Sequence, residues 1–155
     1  MTHEDYMRQA LDLARSCLAT GDVPVGCVVV SPAGEVIGRG RNRREAEGSA
    51  AAHAEVEAIT QACRAVGSWR LTGCTLYVTL EPCPMCAGAI INARIAELRY
   101  GAREEKSGCC GSVLNLFEER FNHRPRIYGG LLADESAALV GEFFQARRGP
   151  GKNNL

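Results

Sequence analysis

The sequence predicts a mixed α/β fold, a β-sheet covered by helices. Three observations carry that prediction. Apolar residues recur at helical spacing near the N-terminus. Two β-branched runs then flank the turn-forming Ser31-Pro32-Ala33-Gly34, and beyond them short strand-like runs alternate with helical stretches. The order after the first helix is hairpin, helix, strand, helix, strand, loop, strand, helix, which is the pattern of a sheet with helices packed on it.

Taken in order, Thr2 followed by Asp5 marks a helix N-cap. Tyr6, Ala10, Leu13, Ala14, Cys17 and Leu18 give an amphipathic helix running to Gly21. Pro24 to Val30 is a strand, and Val36-Ile37-Gly38 returns as its hairpin partner. Residues 40–50 read as an irregular connector rich in Arg and Glu. His53 to about Val66 reads as a helix with Val56, Ile59, Ala62 and Cys63 on one face. Thr75–Thr79 is a strand, followed by a helix over Cys83–Ala93. Leu98-Arg99-Tyr100 and Arg126-Ile127-Tyr128 are further strands. Asp134 reads as the N-cap of a last helix carrying Leu139, Val140, Phe143 and Phe144, which Gly149-Pro150-Gly151 stops. No repeat or linker divides the chain, so residues 1–155 are expected to form one domain with a frayed tail at 149–155.

The chain has 155 residues, 46% hydrophobic and 23% charged, ordinary values for a globular protein. Its formal net charge is zero, so any nucleic-acid surface must be a local patch. The longest aliphatic runs, such as Val28-Val29-Val30, are too short to span a bilayer, and no membrane partner is expected. The N-terminus lacks the basic-then-apolar pattern of a signal peptide, which points to the cytoplasm, where thiols stay reduced. The eight cysteines are therefore read as thiols. Cys17, Cys27 and Cys63 fall in apolar patterns as small core residues, and the role of the adjacent Cys109-Cys110 stays open.

The chemistry concentrates in Thr79-Leu80-Glu81-Pro82-Cys83-Pro84-Met85-Cys86, taken with His53-Ala54-Glu55. A Cys-x-x-Cys pair and one His give three protein donors, the ligand set of an open zinc site that keeps a position for water. Pro84 suits the first position of a helix, so Cys83 sits at the helix start and Cys86 one turn inside. A helix N-terminus favours negative charge and lowers thiol pKa, which suits metal-binding thiolates. Glu55 has no counterpart in a purely structural zinc module. It shares a site with His53 only where the chain enters the helix. A carboxylate beside metal-activated water means hydrolytic chemistry.

His53-x-Glu55 followed by Pro82-Cys83-x-x-Cys86 resembles the signature of the zinc-dependent nucleobase deaminases. Within that superfamily the chain is most similar to the bacterial tRNA-specific adenosine deaminases, from about residue 4 to about residue 148. The similar segments include Asp22-Val23-Pro24-Val25-Gly26, Arg41-Asn42-Arg43, Thr75 to Cys83, Gly108-Cys109-Cys110-Gly111-Ser112, Phe121-Asn122-His123-Arg124 and Phe143-Phe144 before Arg147-Arg148. The resemblance implies a three-layer α/β/α cytidine-deaminase-like fold with a mixed five-stranded sheet. It implies one zinc ion per chain on His53, Cys83 and Cys86, with Glu55 as the catalytic proton shuttle. Glu55 would take a proton from water to adenine N1 as C6 is attacked, then protonate the departing ammonia to leave inosine.

The resemblance further implies substrate contacts from Asn42, the backbone amide of Ala54, the apolar wall of Leu80 and Pro82, Glu104, Asn122 and Phe144. Glu104 stands where the family has aspartate, one methylene shorter. The implied substrate is the wobble adenosine in the anticodon loop of an arginine tRNA, held by a homodimer. Arginines cluster at 39, 41, 43 and 44, and again at 120, 124 and 126 beside His123; such clusters read as solvated faces or as phosphate contacts. Phe143, Phe144 and Arg147 lie on the last helix, which the resemblance sets against the anticodon loop; of the aromatic pair at most one is expected to face RNA. Two other readings remain: deamination of a free base such as guanine, and a non-catalytic zinc-containing RNA-binding module. Closure of the site by a fourth ligand, a thiol such as Cys74, would make the metal structural.

Overall fold

The computed structural model describes residues 1–148; the expected tail and its Gly-Pro-Gly stop lie outside them. Helix α1 spans His3–Ser16 and opens on the expected cap. The Thr2 hydroxyl accepts from the Asp5 N–H, and the Asp5 carboxylate accepts from the Thr2 N–H, a reciprocal capping box. The helix stops earlier than expected. A 3-10 turn covers Cys17–Thr20, and Gly21 closes it in the left-handed region. Its buried face is Tyr6, Met7, Ala10, Leu11 and Ala14, while Leu18 is exposed.

Strands β1 (Gly26–Val30) and β2 (Val36–Arg41) form the expected antiparallel hairpin. β2 runs three residues further than its sequence suggested, because Gly38 and Gly40 are packing residues and not breaks. A short helix α2 (Arg44–Glu47) occupies the connector read as irregular, followed by α3 (Ala54–Val66). Then come β3 (Thr75–Leu80), α4 (Pro84–Asn92), β4 (Glu97–Ala102), β5 (Arg126–Tyr128) and α5 (Ala133–Arg148). Asp134 lies inside the first turn of α5 rather than capping it.

The five strands are ordered β2-β1-β3-β4-β5. β1 is antiparallel to both neighbours, and β3, β4 and β5 are mutually parallel, so β2 runs the same way as the last three. Alternating side chains sort to opposite faces. Cys27, Val29, Leu76 and Val78 join the layer of α3 and α4, whereas Val28, Val30 and Tyr77 join that of α1 and α5. This is the expected three-layer arrangement. Strand β1 is buried on both faces, which explains its unbroken apolar run.

Helix α3 lies unusually close to the sheet. A Cβ on Gly38 would sit 2.1 Å from the Ala58 carbonyl oxygen, and one on Gly40 would sit 2.1 Å from that of Ala54. Ala54, Ala58 and Ala62 present the facing stripe at four-residue spacing, all fully buried. Small residues on both sides thus fix the height of α3, and with it the position of its first turn. No helix among the described residues is long and apolar enough to cross a membrane.

Candidate active site

Because β2, β3 and β4 run in the same direction, the segments leaving them emerge at one edge of the sheet. Clefts in open α/β sheets form at such carboxyl edges. Here a cleft of about 220 Å³ is lined by Val23 and Val25 before β1, Asn42 and Arg44 after β2, and His53, Ala54 and Glu55 at the start of α3. Leu80, Glu81 and Cys83 after β3, Glu104 and Ser107 after β4, and Phe144 from α5 complete the lining.

His53 and Cys83 occupy the N-cap positions of α3 and α4, both with extended backbone and neither using its side chain as a cap. Ser, Thr, Asp or Asn would serve the helix better at such a position; these two side chains are left free for the site. Pro84 is at the first helical position, as its sequence context required. The His53 Nδ1 lies 3.6 Å from Cys83 Sγ and 3.4 Å from Cys86 Sγ. A tetrahedral zinc ion at usual bond lengths would hold nitrogen and sulfur about 3.5 Å apart, so the donor set fits that metal.

Among the described residues, the His/Cys/Asp/Glu group whose donor atoms lie within 4.8 Å of one another comprises His53, Cys83 and Cys86. Cys74 is remote from it, at the opposite end of β3, with its sulfur near the Thr72 carbonyl. Closure by Cys74 therefore does not hold, and the described residues offer three donors, which leaves the site open on one side.

The sulfurs differ in charge. The thiol of Cys86 donates to Cys83 and, with His53 beside it, takes Cys83 down to about 4. Cys86, holding the shared proton in a buried place, is pushed up. The hydrogen bond to Cys83 raises His53, against the effect of burial. Both helix N-termini aim at the pair and favour its negative charge. Glu55, only 4% exposed, has its carboxyl pushed by burial up to about 7, with the Cys83 thiolate adding to the rise. A buried carboxyl raised toward neutrality, beside three side chains placed so that they could hold a metal, is equipped for acid and base work in turn.

The chain is matched over residues 1–148 by the family of MafB19-like deaminases. It is 46% identical over 150 residues to the tRNA-specific adenosine deaminase of Bacillus subtilis (strain 168), covering 96% of this chain and 92% of that one. The chain belongs to the tRNA-specific adenosine deaminase family. A solved structure from work on A-to-I editing by tRNA A34 deaminases at the wobble position of transfer RNA is similar with a TM-score of 0.83 and 45% identity. That likeness covers 87% of this chain and 98% of the other. A guanine deaminase from Nitrosomonas europaea is also similar, with a TM-score of 0.74 and 26% identity, over 92% of this chain and 84% of that one.

In this deaminase Asn42 is buried at the cleft with its amide oriented by the chain. Its Nδ2 donates to the Val23 carbonyl at 3.1 Å, and its Oδ1 accepts from the Arg44 N–H at 3.1 Å, leaving one donor hydrogen and one lone pair. Ala54 opens α3, so its N–H has no intrahelical acceptor. Leu80 lines the cleft. Pro82 does not; it is buried, and its carbonyl accepts from the Cys109 N–H at 2.9 Å. Glu104 lines the cleft while one carboxylate oxygen accepts from the Lys106 N–H at 3.0 Å. Phe144, 44% exposed, reaches the cleft, whereas Phe143 is buried beneath Arg147. Asn122 is exposed and lies outside the cleft lining.

The two arginine clusters separate into structural and free members. Arg41 donates to the Ser16 carbonyl and hydroxyl, and Arg43 pairs with Glu57 at 2.8 Å. Arg124 donates to the carbonyls of Glu118 and Glu119, Arg126 pairs with Glu97, and the ring of His123 is 2.6 Å from the Ile95 carbonyl. Arg44 alone among these arginines lines the cleft.

The residue that sequence reasoning could not place is Glu81. It is 3% exposed; burial alone would raise its carboxyl, yet hydrogen bonds from the Ser112 side chain and the backbone of Glu104, Cys110 and Ser112 hold it below the usual range. The available signal was an acid at a strand end followed, about 30 residues later, by a glycine-flanked segment. Glu81 also shows what Gly108-Cys109-Cys110-Gly111-Ser112 is for: it contributes backbone N–H groups, not thiols.

Proposed function

We propose that this protein is a zinc-dependent tRNA adenosine deaminase of the cytoplasm. It would convert adenosine to inosine at the wobble position of an anticodon, in an arginine tRNA, working as a single-domain chain in a homodimer. The observation that carries the reading is the buried Glu55 beside an open His53/Cys83/Cys86 site, in a protein 46% identical to a tRNA-specific adenosine deaminase.

Zinc held by the three side chains would supply Lewis-acid activation of a water at neutral pH. The chain's own groups do the rest. Glu55 takes a proton from the attacking water and places it on adenine N1. It then takes the second water proton to the C6 amino group, which leaves as ammonia, so adenosine and water become inosine and ammonia. The free N–H of Ala54 and the leftover donor and lone pair of Asn42 hold the base, with Leu80 and Phe144 as apolar walls. A flipped base must lose its hydration, and these polar partners offset that loss. Glu104 reaches the nucleotide backbone, and Arg44 attracts phosphate. Asn122 contacts RNA beyond the pocket. For the dimer, Met85 on α4 and the apolar Val113, Leu114 and Phe121 are exposed and would be candidates for cover.

Ammonia release and inosine formation from an anticodon stem-loop, compared with free guanine, cytosine and adenosine, test the reading. Turnover of guanine with none of the stem-loop would replace it with the free-base alternative. Stem-loop binding without turnover would favour the RNA-binding module.

A further inference from the structure

We propose that Glu81 is a positioning residue that folds the loop between β4 and β5 over the cleft and thereby sets where Glu104 and Ser107 meet the substrate. Glu81 leaves β3 two residues before Cys83, and its own N–H is fixed to the Ala102 carbonyl at 2.9 Å. One carboxylate oxygen accepts from the Glu104 N–H at 3.0 Å and from the Ser112 hydroxyl. The other accepts from the Cys110 N–H at 2.8 Å and the Ser112 N–H at 3.1 Å. Four donors from one loop converge on one buried side chain, and three of them are backbone groups. The loop's path is therefore written largely in main chain.

Gly108 shows that the fit is close. A Cβ there would lie 2.3 Å from the Glu81 carboxyl carbon and 2.5 Å from the Glu104 carbonyl oxygen. Only a residue without a side chain lets the loop wrap the carboxylate. The Gly108 N–H donates to the Glu104 carbonyl at 2.8 Å. Glu104 is thus held on both sides of its peptide: its N–H by Glu81, its carbonyl by Gly108. The carboxylate it sends into the cleft starts from a fixed backbone. Glu81 thus ties the segment that leads from β3 to Cys83 to the loop after β4. A loop without that anchor would order only on binding substrate, at an entropic cost.

The test uses the full-length, zinc-loaded protein with Glu81→Gln, Gly108→Ala and the double variant. Hydrogen exchange of the 104–112 amides is read first, without substrate. Glu81→Gln should raise exchange there well above the rest of the sheet, with metal content unchanged. For turnover of an anticodon stem-loop, which rests on the tRNA-deaminase reading, each single variant should raise KM and lower kcat/KM on the order of 10-fold to 100-fold. The double variant should be no worse than the poorer single, because both break one anchor. Unchanged exchange at 104–112 in Glu81→Gln would overturn the proposal, as would loss of metal with KM unaltered. If Glu81→Gln does not fold, Gly108→Ala and Ser112→Ala carry the same readouts, and wild-type loop protection in both would overturn it. A wild-type enzyme inactive on the stem-loop would count against the proposed substrate while the exchange result still decided the anchor.

Discussion

Replacing Gly40 with alanine tests how the site depends on packing. The new Cβ would stand 2.1 Å from the Ala54 carbonyl oxygen and 2.8 Å from the Ala58 nitrogen, both backbone atoms of α3. Ordinary contact begins near 3.4 Å, so the first turn of α3 must retreat by more than 1 Å or β2 must bend by as much. Overpacking of that kind costs about 1–3 kcal/mol. The same turn carries Glu55 and begins at His53, whose nitrogen sits within 3.6 Å of both sulfurs. A displacement of 1 Å at catalytic groups lowers rate on the order of 100-fold. Gly40→Ala is therefore expected to lower the urea midpoint and to lose activity out of proportion to its stability at the assay temperature. Gly141→Ala on α5, where a Cβ meets open space, serves as control and should be neutral or stabilising by about 0.5–1 kcal/mol. Urea denaturation and zinc-loaded turnover of both variants are the assays. A Gly40→Ala protein with wild-type midpoint and rate would refute the close-packed account of how α3 is placed.

Glu55→Gln should fold and keep its metal but lose roughly 100-fold to 10,000-fold in kcat; wild-type turnover would show that another group moves the proton. Chelation should abolish activity and lower the thermal midpoint, because a metal on His53, Cys83 and Cys86 would tie the starts of α3 and α4 together, and zinc should restore both; activity that survives full metal removal would sink the mechanism. Asp22→Asn probes acid stability. Buried Asp22 accepts from the Glu45 N–H at 2.6 Å and the Thr20 hydroxyl at 2.7 Å, and although burial opposes it, these bonds hold its carboxyl below the usual range. A lowered carboxyl stabilises fully above its unfolded value and loses that contribution as pH falls through the folded value. The variant should cost about 1–3 kcal/mol at pH 7, shrinking below about pH 4, as read from urea melts at both pH values; an equal deficit at both would contradict it. Phe144→Ala should leave the thermal midpoint nearly unchanged and raise KM for the stem-loop, and an unchanged KM would remove Phe144 from the substrate site.

Local chemistry was legible in the chain itself. The spacing of Cys83 and Cys86 with Pro84 between them set a helix start with two sulfurs on one turn. Thr2 and Asp5 announced their reciprocal cap, and Ser31-Pro32-Ala33-Gly34 its hairpin. His53 and Glu55 at a helix entry pointed to an imidazole and an acid sharing one cleft, as they do. Each of these depends on neighbours within a few residues, which is the range over which backbone sterics and hydrogen bonding act.

Long-range facts belonged to the tertiary structure. Gly38 and Gly40 read as the end of a strand because a sequence shows the missing side chain but not the helix that occupies its space. The arginine clusters looked alike until packing paired Arg43 with Glu57 and Arg126 with Glu97 and left Arg44 on the cleft. Glu81 is the sharpest case. Its neighbours in sequence are a strand and a proline, and its partners lie more than 20 residues away on another strand's loop. A carboxylate's role is set by which donors surround it, and only the folded sheet brings those donors within reach.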